Sequence, residues 1–135
     1  MIERVSRDVQ KKFERVAELV RNDLRLAGFS LVERDGHSGV SVFVDPFLDG
    51  ESEGVFVEWR LSSDLTTTLK RCIERGDMEN PAIPFGVSVV DTMKECLKGL
   101  LEGAGWRVET EYVGVHESSI KVSCDSSAAE RAGVG

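Results

Sequence analysis

This sequence is poor in the residues from which covalent or metal cross-links are built. It holds three cysteines, two histidines and three prolines in 135 residues. Cys72, Cys96 and Cys124 are odd in number and widely spaced, which excludes a disulfide framework or a zinc knuckle as the basis of the fold. Cys72 and Cys96 fall at apolar positions of expected helices, where a free thiol behaves as a small hydrophobe. Both His37 and His116 lie in expected turns without the electropositive surround a reactive cysteine–histidine pair needs. Apolar runs are only a few residues long, too short to span a bilayer. Met1-Ile2-Glu3-Arg4 leads straight into a charged amphipathic pattern, without the apolar core of a signal peptide, so a cytoplasmic location is expected. The glycine turns Gly36-His37-Ser38-Gly39 and Gly103-Ala104-Gly105 match neither a P-loop nor a dinucleotide fingerprint, and no cofactor is implied.

Charge is unevenly distributed. The formal net charge is -7, yet residues 1–27 carry seven basic and five acidic side chains against ten and nineteen in the remainder. An acidic body argues against binding a phosphate backbone, which needs clustered lysine and arginine to displace counterions.

What the chain does have is a phrase used twice. Leu24-x-x-Ala27-Gly28-Phe29-x-Leu31 returns as Leu101-x-x-Ala104-Gly105-Trp106-x-Val108. Each copy reads as the last turn of a helix, a glycine in the left-handed conformation and an aromatic that opens a strand while folding back onto the helix. The first helix shows an apolar stripe of Ile2, Val5, Val9, Phe13, Val16, Val20, Leu24 and Ala27, widened by Leu19 and Leu26. Its roughly 25 residues make a rod near 38 Å, more than a domain of this size needs, which suggests an overhang or a second copy of the chain.

Phe29–Arg34 reads as a strand ended by Asp35-Gly36. Alternation over Val40–Asp45 and Val55–Leu61 predicts a hairpin pairing Val44 with Val55, Val42 with Val57 and Val40 with Trp59 on one face. Phe43 then meets Phe56, and Ser41 meets Glu58, on the other. A second helix is expected over Ser63–Arg75, with Leu65, Leu69, Cys72 and Ile73 inward and Gly76 as its stop. Asp77–Gly86, with two of the three prolines, reads as a loop. Ser88-x-x-Asp91 resembles a capping box for a third helix with Val90, Met93, Leu97, Leu100 and Ala104 on one side, and Gly99 within it suggests close packing. Trp106–Val113 and Ser119–Cys124 form a last hairpin setting Tyr112 against Ile120, Thr110 against Val122 and Glu111 against Lys121. The expected fold is α+β: three helices, the first of them long, on a mainly antiparallel sheet of about five strands, in the order α-β-β-β-α-α-β-β. It forms one domain over residues 1–124, with 125–135 a disordered tail.

Candidate chemistry is thin. Asp45, Asp49, Glu51 and Glu53 gather oxygen suited to a hard cation, but Phe47 and Phe56 break the EF-hand spacing, so no metal is assigned. Arg4, Arg7, Lys11 and Arg15 share a helical face, and the order α-β-β-β-α is similar to that of double-stranded-RNA-binding domains. The basic cluster such domains carry at the second helix is replaced here by Ser62-Ser63-Asp64, which argues against nucleic acid. Trp59, Trp106 and Tyr112 are candidates to line a pocket between the sheet and the 77–86 loop. The strongest candidate is the outer hairpin face, where Phe43 and Phe56, ringed by Glu58 and Arg60, would form an exposed aromatic pair of the kind that marks interfaces.

In size, charge and mix of elements the chain is similar to small acidic secretion chaperones and bacterial immunity proteins, a fold-level likeness that carries no site. The expected function is a non-enzymatic, cytoplasmic, protein-binding role as adaptor, chaperone-like or immunity-like protein, acting as a homodimer with no membrane contact. A small-molecule or metal-binding protein or enzyme is the alternative, and nucleic-acid binding through the first helix comes third.

Overall fold

A computed structural model describes residues 3–32, 38–48, 53–110, 119–125 and 127–132. Three helices, α1 (Arg7–Leu26), α2 (Ser63–Glu74) and α3 (Ala82–Gly103), accompany a four-stranded antiparallel sheet of β2 (Gly39–Asp45), β4 (Gly54–Arg60), β5 (Val108–Glu109) and β6 (Ile120–Val122). The spatial order is β2-β4-β6-β5, and the short β1 (Glu3–Arg4) and β3 (Phe47–Leu48) pair separately. The fold is therefore α+β, with one strand fewer in the main sheet than expected among the described residues. Among the described residues no helix is long and apolar enough to cross a membrane.

The β2–β4 hairpin has the register that its alternation dictates: Val44 pairs with Val55, Val42 with Val57, Val40 with Trp59, Ser41 with Glu58 and Phe43 with Phe56. Burying one face pins this register, because a one-residue slip would turn every valine outward. Val40, Val55 and Val57 are fully buried and join Val16, Val20 and Leu24 of α1, Leu97 and Leu101 of α3, and Ile120 and Val122 of β6 in one core.

Both copies of the repeated phrase close their helices in the same way. Gly28 and Gly105 have φ of 98° and 97°. Phe29 N–H donates to the Leu24 carbonyl at 3.0 Å and Trp106 N–H to the Leu101 carbonyl at 2.9 Å, the six-to-one bond that completes a Schellman cap. Trp106 thereby enters the core at 2% exposure.

Several boundaries differ from expectation. The first helix begins at Arg7, where the Ser6 hydroxyl accepts the Val9 N–H at 3.2 Å. It has 20 residues, about 30 Å, so the overlong rod is not formed. Upstream, Val5 N–H donates to the Pro46 carbonyl at 2.7 Å beside the β1–β3 pair. Leu26 is 79% exposed rather than part of the buried stripe. The expected strand at residues 29–34 is reduced, within its described part, to a parallel bridge of Leu31 with Val40. Gly39 permits that approach: its φ is +145°, and a Cβ there would lie 2.6 Å from the Ser30 carbonyl oxygen.

The third helix starts at Ala82, not Ser88, and contains Pro84 in its first turn, where proline costs little because those N–H groups have no intrahelical acceptor. Just upstream of it, Asn80 Oδ1 accepts the Ala82 N–H at 2.9 Å. The apolar face of α3 turns away from the expected one at its C-terminal end: Leu101 is 1% exposed while Leu100 is 41% exposed. Cys96 is exposed, and nothing lies within 4 Å of a Cβ placed on Gly99, so close packing does not explain that glycine.

In the last hairpin Val108 pairs with Val122 and Glu109 with Lys121, two residues from the expected register. A slip of two preserves the faces, so the alternation did not distinguish the two registers. Glu111 and Tyr112 lie outside the described residues. Within the stretch expected to be a disordered tail, Ser127–Ala132 forms a 3-10 helix, and Ala128 and Ala129 are buried against the core at 6% and 0% exposure.

Candidate functional site

The outer face of the sheet brings together the residues singled out from the hairpin. Phe43 and Phe56 stack with ring centroids 5.6 Å apart and planes 19° from parallel. Phe56, however, has no exposed surface and Phe43 is half-buried, so they are not the open aromatic patch expected. In the neighbouring row, Glu58 accepts from Arg60 Nη1 at 2.6 Å and from the Ser119 hydroxyl at 3.0 Å. Ser41, which pairs with Glu58 across β2 and β4, and Ser119, just before β6, are 3% and 1% exposed. Both carboxylate oxygens of Glu58 are thus held by donors from its own sheet, an arrangement that orders the face.

The two described aromatic pocket candidates make separate contacts on the same core. Trp106 Nε1 donates to Asp23 Oδ2 at 2.8 Å at the edge of the core, Trp59 meets Phe29 edge-on at 6.4 Å, and Tyr112 lies outside the described residues. In the acidic segment, Asp45 Oδ1 accepts the Phe47 N–H at 3.0 Å and Glu53 Oε2 is buried with no partner among the described residues. Asp49 and Glu51 lie outside them, and among those described no three metal-ligating side chains converge. His37 and His116 also lie outside. Of the basic face, Arg4 sits 5.3 Å over the Phe47 ring, while Arg7, Lys11 and Arg15 line a shallow hollow of about 550 Å³ shared with Glu14. The one thiol with a resolved shift, Cys124, is raised by burial, against the opposing charge of Lys12.

A different surface emerges from the helices. Beyond the sheet, α2 packs principally on α3. The two leave a cavity of about 300 Å³, lined by Leu61, Leu69, Ile83, Val87, Val90 and Asp91. At its floor Gly86 faces Leu69, whose Cδ1 would stand 3.0 Å from an added Cβ. The apolar lining is not sealed, since Val87 is 58% exposed; outside the lining, Ile73 of α2 is 63% exposed. Ile73, expected inward, is thus turned out. Sequence reasoning missed this surface because Pro81 and Pro84 disguised the start of α3, hid Ile83 in an assumed loop and left Val87 outside the expected helix.

The chain matches no protein-family model, no curated protein and no solved structure.

Proposed function

We propose that this chain acts by binding another protein, and that the α2–α3 hairpin is its docking face. The observation that carries this reading is the open apolar groove between the helices, with Val87 of its lining 58% exposed. Clustered aliphatic surface in water is costly to maintain, and on folded domains it marks surfaces that a partner covers. Grooves between helices receive apolar side chains from a partner's helix at i, i+3 and i+4 spacing. A cytoplasmic location accords with this reading, since the three cysteines are free thiols, as in a reducing compartment.

The test compares the tagged wild-type chain with Val87→Asp in capture from native lysate read by mass spectrometry. Val87 is largely exposed, so the variant should keep its fold, checked by circular dichroism and thermal unfolding. A protein recovered in stoichiometric amount by the wild type and lost from the folded variant supports the reading. Equal recovery by both removes the α2–α3 face from the function.

A further inference from the structure

We draw no further inference here: the strongest candidate, the apolar groove between α2 and α3 lined by Leu69, Ile83 and Val87, belongs to the docking face already described, and nothing in the structure shows what covers it.

Discussion

Asp23 and Trp106, 83 residues apart in sequence, are joined by a 2.8 Å hydrogen bond from the indole Nε1 to a carboxylate oxygen. It ties the last turn of α1 to the corner after α3, and the ring itself is 2% exposed. Replacing Asp23 with alanine leaves the indole N–H of a buried ring without this acceptor. We expect a loss of about 1–3 kcal/mol, measured by urea unfolding. Phenylalanine at position 106 should then be nearly insensitive to the Asp23 change, because it has no donor to strand.

Glu58 and Ser119 give a second coupled pair. Glu58→Ala should destabilise by about 1–3 kcal/mol, since the buried Ser119 hydroxyl loses its acceptor. Ser119→Ala in the same background should cost much less than it does in the wild type. A double-mutant cycle read by chemical denaturation gives the coupling, and additive single effects would contradict the arrangement.

Two glycines predict opposite signs. Gly39→Ala drives a methyl to 2.6 Å from the Ser30 carbonyl oxygen at a φ of +145° and should destabilise by about 1–3 kcal/mol. Gly99→Ala, in the exposed interior of α3 with open space around it, should stabilise by about 0.5–1 kcal/mol. Thermal unfolding should therefore move Tm down for the first and up by a few degrees for the second.

The thiols should separate by reactivity. Cys96 is exposed and Cys72 buried, while burial raises the Cys124 pKa and keeps it a thiol at neutral pH. Alkylation followed by mass spectrometry should label Cys96 first and Cys124 slowly, with the Cys124 rate climbing only at alkaline pH. The folded chain holds the Cys124 proton to higher pH than the unfolded chain. Its contribution to stability is therefore full below the ordinary thiol range and lost as pH rises through the raised value. Equal labelling rates at neutral pH would contradict the burial.

The elements legible in the sequence were those decided by neighbours along the chain or directly across a hairpin. Alternating valines set the β2–β4 register because one slipped residue reverses every side chain, and Gly28 and Gly105 marked two helix ends because left-handed backbone is a local steric matter. Tertiary structure decided the rest. The start of α1 moved to Ser6 as residues 3–5 were drawn into pairing with β3 and Pro46. Phe56 became buried while Ile73 and Val87 stayed exposed, although all three are large apolar side chains. Burial is area removed from water by distant segments, so the apolar pattern determined which residues seek cover, and only the packing of α2 on α3 rather than on the sheet decided which ones were left without it.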